Sequence, residues 1–241
     1  MNPILLIPAR MASSRLPGKP LADIAGRPMI VRVWERAMAA GLGPVVVAAA
    51  EPEIVQAVTA AGGEAVLTDP GLASGSDRIF AALQQFDPQA RHDVVVNLQG
   101  DLPALAPTDI RAVVAALPGA DIATLAAEIT DPAERDNPSV VKAVVAWEAD
   151  GKKGRALYFT RATAPSGDGP LFHHSGIYAF TRAALTRFVA LPPSVLESRE
   201  KLEQLRALEA GMRIAVARVD RVPLSVDTQA DLERANRLLK P

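Results

Sequence analysis

At 241 residues the chain is long enough for one large domain with a full core, and with aromatics at only 4% that core must be aliphatic. A formal net charge of −1 argues against a nucleic-acid partner, and the lack of any cysteine excludes disulfides and thiolate metal sites. No apolar stretch approaches the roughly twenty residues a membrane span requires, and the Met1-Asn2-Pro3 start has no basic run of the signal-peptide kind. A soluble cytoplasmic protein with no membrane partner is expected.

The first apolar run, residues 4–7, reads as a buried strand. It delivers Arg10, Arg15 and Lys19 onto a segment broken by Pro8, Pro17, Gly18 and Pro20, which cannot continue as regular structure. Open α/β sheets bind ligands at the carboxyl ends of their strands. Three cations there suit a polyanion such as a triphosphate; a solvated basic loop is the alternative. Next, Met29, Ile30, Val33, Trp34, Ala37 and Met38 recur at helical spacing, with Pro28 in the first turn and Gly41 beyond the end. A strand at 45–48, a helix at 52–61 closed by Gly62-Gly63, a strand at 65–67, a helix at 76–86 and strands at 94–98 and 122–126 follow. Strict alternation of helices with strands apolar on both faces predicts an α/β protein with a mostly parallel central sheet and helices on both faces.

After about residue 138 the rhythm changes. Segments 140–147, 154–159 and 175–180 read as longer, more antiparallel strands around a loop at 165–170. A helix over about 193–210 ends at Gly211, then come a strand at 213–219 and a last helix from about Gln229. With no clean linker and no repeat, 1–241 is expected to be a single domain. Residues 138–241 would form a smaller antiparallel lobe on the sheet begun by 1–137.

Gly18-Lys19 is not a Walker A loop, because that motif's first glycine and its Ser or Thr are replaced by Ser13 and Pro20. No G-x-G-x-x-G follows the first strand, so a dinucleotide cofactor is not expected. Asp101 follows the strand at 94–98 beside Gly100, where it fits either a Mg²⁺ ligand or a turn-stabilising role. Asp227 and Thr228 precede the last helix, and either could simply cap it. In Ser74-Gly75-Ser76-Asp77-Arg78, Ser76 suits a helix cap, and Arg78 opposes the helix dipole unless it is placed for a ligand. His173 and His174 point to opposite faces of a strand and cannot easily share a metal, so each is either structural or faces an anionic group.

Taken together, these segments resemble the 3-deoxy-manno-octulosonate (Kdo) cytidylyltransferases. The likeness runs from Ile7-Pro8-Ala9-Arg10 and Ser14-Arg15-Leu16-Pro17-Gly18-Lys19 through Ser74-Gly75-Ser76-Asp77-Arg78 and Gln99-Gly100-Asp101. It continues in Asn137-Pro138, Val141-Lys142, Tyr158-Phe159-Thr160-Arg161, His174-Ser175-Gly176-Ile177-Tyr178, Glu203-Gln204-Leu205-Arg206 and Val226-Asp227-Thr228. The opening loop is shared with many sugar nucleotidyltransferases; the later segments are more specific. The resemblance implies a nucleotide-diphospho-sugar transferase fold of the glycosyltransferase-A-like kind, a homodimer, and the reaction of CTP with Kdo to give CMP-Kdo and diphosphate for lipopolysaccharide. It further implies CTP binding by Arg10, Arg15, Lys19, Ser74, Arg78 and Gln99, and Mg²⁺ binding by Asp101 and Asp227, which with Lys19 form the catalytic set. Arg161, His174, Tyr178, Glu203 and Gln204 would line the sugar site, the cationic members facing the sugar's carboxylate. Alternatives are a sialic acid, a modified Kdo such as 8-amino-Kdo, or a CTP-binding regulatory module. Many relatives differ in carrying an acidic residue soon after the second strand, where Ala49-Ala50-Glu51 stands here, Glu at Leu102, and a longer segment between Arg161 and His174.

Overall fold

The opening apolar run becomes β1 (Pro3–Ala9), with Ile4, Leu5, Leu6 and Ile7 all fully buried. This computed structural model describes residues 1–13 and 15–240. By its internal contacts the chain divides into two units, Met1–Arg111 with Pro223–Pro241, and Ala112–Val222. These bounds differ from a division at 137/138, because the chain's last segment returns to the first unit.

In the first unit, β1 is followed by a short hairpin of β2 (Asp23–Ile24) and β3 (Arg27–Pro28), then α1 (Met29–Met38), β4 (Val45–Ala49), α2 (Pro52–Ala60), β5 (Glu64–Leu67), α3 (Gly75–Phe86) and β6 (Val94–Asn97). Four of these strands form a parallel array in the order β5-β4-β1-β6. The aliphatic runs Val45–Ala49 and Val94–Asn97 are buried throughout, as expected of strands covered on both faces. Strand β1 therefore sits in the middle, and its carboxyl end lies between those of β4 and β6. Pro28 does not start the helix: it ends β3 and serves as the N-cap of α1, an extended position that its fixed φ allows.

The boundary between the units falls within α4 (Pro107–Ala116). The second unit holds β7 (Ile122–Glu128), α5 (Pro132–Arg135), β8 (Lys142–Trp147), β9 (Lys153–Thr160), β10 (Phe172–Thr181), α6 (Arg182–Ala190), α7 (Val195–Glu200), α8 (Gln204–Glu209) and β11 (Ile214–Val219). Its strands run β10-β7-β11-β9-β8, with β7 and β11 parallel and the other neighbours antiparallel. β8 also reaches β10, through Lys142 opposite His173. The helix expected over 193–210 is in fact two. Ser194 and Glu197 close a capping box at the start of α7, and Lys201, at φ 57°, turns the chain out of it into the left-handed region.

Finally α9 (Gln229–Leu239) comes back to the first unit. Its Ala235 and the preceding Val226 pack with Ile24 and Met29, with Leu16, Leu224, Leu232 and Leu239 around them. Asn236 fastens the hairpin by accepting from the Ala25 amide and donating to the Asp23 carbonyl. Among the described residues, no helix is long and apolar enough to cross a membrane.

Candidate active site

The carboxyl ends of β1 and β6 open into a cavity of about 390 Å³. Arg10, Arg15, Lys19, Ser74, Arg78, Gln99, Gly100 and Asp101 line it, all from the first unit. After β1 the chain leaves the sheet; Gly18, at φ 69°, allows the turn that Gly18 closes by donating to the Met11 carbonyl, and Lys19 follows on a single 3₁₀ turn. Arg10 and Arg15 are solvent-exposed, the Arg15 side chain at 65%, whereas Lys19 is only 17% exposed.

Lys19 reaches both acids. Its Nζ donates to Asp101 Oδ2 at 2.8 Å and to Asp227 Oδ1 at 3.1 Å, and Arg15 pairs with the same Asp227 oxygen at 3.2 Å. Burial would lower the Lys19 pKa, but the two carboxylates outweigh it and hold the ammonium above the usual lysine range. Asp227 is free for this contact because Thr228, not Asp227, caps α9, in a capping box with Asp231. Gly100 lets the β6 loop pass close to β1: a Cβ there would lie 2.8 Å from the Pro8 carbonyl oxygen.

Two carboxylates meeting one cation fit a hard metal ion. Magnesium commonly takes one or two carboxylates and completes its shell with water and phosphate oxygens. Asp101 and Asp227 are such a pair, and the Lys19 ammonium already brings positive charge to both. No group of three or more acidic or histidine ligands occurs among the described residues.

Two residues of this cavity are engaged otherwise than expected. The N-cap of α3 is Ser74 and not Ser76: Ser74 Oγ accepts from the Asp77 amide at 3.1 Å and donates to the Asp77 carboxylate at 2.9 Å. Arg78 is 2% exposed and donates to Thr68 Oγ1 at 2.6 Å and to the Asp69 carbonyl at 3.1 Å. This explains a cation in the first turn of a helix, since those acceptors offset the unfavourable dipole. Burial, then nearby Arg10, works against its charge. Glu51, which no local pattern singled out, accepts from the Met11 amide at 2.9 Å and so anchors the start of the basic loop.

The residues expected around a sugar all lie in the second unit. His174 and Tyr178 on β10 have ring centroids 5.6 Å apart, and Glu203 is close enough to Tyr178 to act with burial in pushing the phenol pKa up. Gln204 is buried, and its Nε2 has no hydrogen-bond partner among the described residues. Arg161 turns to backbone: Nε donates to the Glu200 carbonyl at 2.7 Å and Nη1 to the Pro138 carbonyl at 3.0 Å. Burial, and after it the neighbouring His173, depress the His174 pKa to about 3, so the ring is neutral at pH 7.

A cavity lined by Arg10, Arg15, Lys19, Arg78 and Asp101 at the ends of parallel strands, with Asp227 on the same lysine, suits a protein of the nucleotidyltransferase class. At the level of the fold alone, 4-diphosphocytidyl-2C-methyl-D-erythritol synthase from Anaerococcus prevotii superimposes with a TM-score of 0.66 at 16% identity, covering 98% of this chain and 97% of that one. The family profile described as Cytidylyltransferase matches residues 4–214. The 3-deoxy-manno-octulosonate cytidylyltransferase of Parvibaculum lavamentivorans is 66% identical over 99% of this chain and 93% of its own length, and that of Rhodospirillum centenum 65% over 100% and 94%. A structure of CMP:2-keto-3-deoxy-manno-octonic acid synthetase complexed with CTP superimposes with a TM-score of 0.90 at 40% identity, covering 99% of this chain and 98% of that one. The chain belongs to the 3-deoxy-manno-octulosonate cytidylyltransferase family.

Proposed function

We propose that this chain activates Kdo by cytidylyl transfer, converting CTP and Kdo to CMP-Kdo and diphosphate for lipopolysaccharide assembly. The reading is carried by 66% identity along 99% of the chain to a relative of that name, and the CTP complex at 40% identity supports the nucleotide. The fold is read as glycosyltransferase-A-like, and the protein as a cytoplasmic homodimer with its sugar-binding and dimer-forming residues in 138–241.

Arg10, Arg15 and Lys19 draw in the triphosphate, helped by Ser74, Arg78 and Gln99 around the nucleotide. As phosphate arrives, Lys19 and Arg15 exchange carboxylate partners for phosphate oxygens, which frees Asp101 and Asp227. Those two would hold Mg²⁺, whose chemistry would be to neutralise phosphate charge and lower the pKa of the attacking hydroxyl. The anomeric hydroxyl of Kdo attacks the α-phosphorus in line with departing diphosphate. The protein's part in such a transfer is positioning and charge neutralisation. His174, Tyr178, Glu203 and Gln204 contact the sugar acid, and Arg161 braces the segments behind them.

The test is a Mg²⁺-dependent diphosphate-release assay that scans four nucleoside triphosphates against Kdo, 8-amino-Kdo and a sialic acid. CTP with Kdo is expected to be the productive pair. Release with another acid alone, or CTP binding without any release, would overturn the assignment.

A further inference from the structure

Thr124 Oγ1, on β7, is fully buried and stands opposite a break in β10. Pairing runs Ser175 with Leu125 and then Tyr178 with Thr124, which leaves Gly176 and Ile177 as a bulge. Bulges of this kind re-aim neighbouring side chains. The hydroxyl lies 2.8 Å from the Ile177 carbonyl oxygen, 3.0 Å from that of Ser175 and 2.9 Å from His174 Nε2.

A hydroxyl has one proton and two acceptor lone pairs. Both carbonyls only accept, so the Thr124 proton is directed to them. Were Nε2 also unprotonated, three acceptors would compete for that single proton in a buried position, at the cost of unmet hydrogen bonds. The arrangement that satisfies every group has Nε2–H donating into a lone pair of Oγ1. A neutral imidazole with its proton on Nε2 carries a bare lone pair on Nδ1. The ring is held in place by Phe159 at 4.8 Å and Tyr178 at 5.6 Å between centroids. No hydrogen bond from a described residue reaches Nδ1.

We infer that Thr124 is a positioning residue that sets His174 as a hydrogen-bond acceptor through Nδ1, so that the site reads a hydroxyl of its sugar acid and not the carboxylate. This rests on the reading of His174 as a sugar-site residue. An acceptor lone pair repels a carboxylate and rewards a hydroxyl donor, and sites built to pair a hydroxyl reject analogues that lack it far more strongly than apolar pockets do.

Two measurements test it. The chain has only three histidines, so ¹⁵N-histidine labelling of the intact protein resolves them, and at pH 7 the His174 signals are expected to show a protonated Nε2 and a bare Nδ1. In kinetics, Thr124→Val is expected to raise KM for Kdo by about tenfold, the scale of one lost hydrogen bond, with KM for CTP unchanged within experimental error and Thr124→Ser restoring the wild-type value. A proton on Nδ1, an unchanged KM for Kdo in Thr124→Val, or a Thr124→Ser variant as impaired as Thr124→Val would overturn the inference. If Thr124→Val fails to fold, the wild-type spectrum decides. If the wild-type protein releases no diphosphate from CTP and Kdo, the functional reading falls while the spectrum still judges the hydrogen bond.

Discussion

The Val226 amide donates to the Asp101 carbonyl at 3.0 Å. This bond ties the loop after β6 to the segment leading into α9, although the two are far apart in the chain. Because Asp227 follows directly, the same contact sets its carboxylate beside that of Asp101, where both meet the Lys19 ammonium. Anchoring of Val226 in the cluster with Ile24, Met29 and Ala235 makes the placement part of the core.

Asp101→Asn keeps the shape of the side chain and removes its charge. Diphosphate release should fall by about a hundredfold or more, the usual scale when a group that stabilises developing charge is lost. Asp227→Asn should behave alike. Single-turnover assays at saturating CTP check this, and near-normal rates in either variant would remove that residue from the catalytic set.

Gly100→Ala places a Cβ 2.8 Å from the Pro8 carbonyl oxygen. Backbone cannot yield as a side-chain tip does, so the β6 loop must move away from β1. A loss of about 1–3 kcal/mol in stability, typical of overpacking, should accompany a higher KM for CTP. Urea melts and CTP titrations read both.

Two arginines of the same cavity should separate cleanly. Arg78→Met leaves the Thr68 hydroxyl and the Asp69 carbonyl without their buried donor, and should cost about 1–3 kcal/mol of stability. Arg10→Met, at an exposed position, should leave the melting temperature nearly unchanged and raise KM for CTP. An Arg10 variant that melts early but binds CTP normally would contradict the proposed role.

His174 gives a pH signature. Its folded pKa, about 3, lies below the ordinary value of 6.5, so between these limits the unfolded chain binds the extra proton. The histidine's contribution is therefore fully present above pH 6.5 and declines as pH falls towards 3, by at most about 1.4 kcal/mol per pH unit. Urea melts of wild type and His174→Gln at pH 7 and pH 5 should converge at the lower pH. Equal stability differences at both would show that His174 titrates normally.

Much of the site was legible along the chain because its parts are local. An aliphatic run followed by Arg10, Arg15 and Lys19 among prolines and glycines announces a strand-end cationic loop, and Val94–Asn97 leading into Gln99-Gly100-Asp101 announces a second strand end. Local patterns go no further than type and place. The dipole marks Arg78 as unusual, but the Thr68 and Asp69 acceptors that offset it lie on a loop that only folding brings against it. The 193–210 segment has helical composition throughout, and the left-handed Lys201 that divides it carries no compositional mark. Thr124 is one small residue in an apolar strand.

Periodicity and punctuation by Gly and Pro were enough to determine the αβ alternation, an aliphatic core and the chemistry available at two strand ends, since each depends on residues a few positions apart. Folding alone decided that Asp227 joins Asp101 on Lys19 and that His174 loses its charge. Both follow from burial and from contacts between distant segments, and no run of neighbouring residues encodes either.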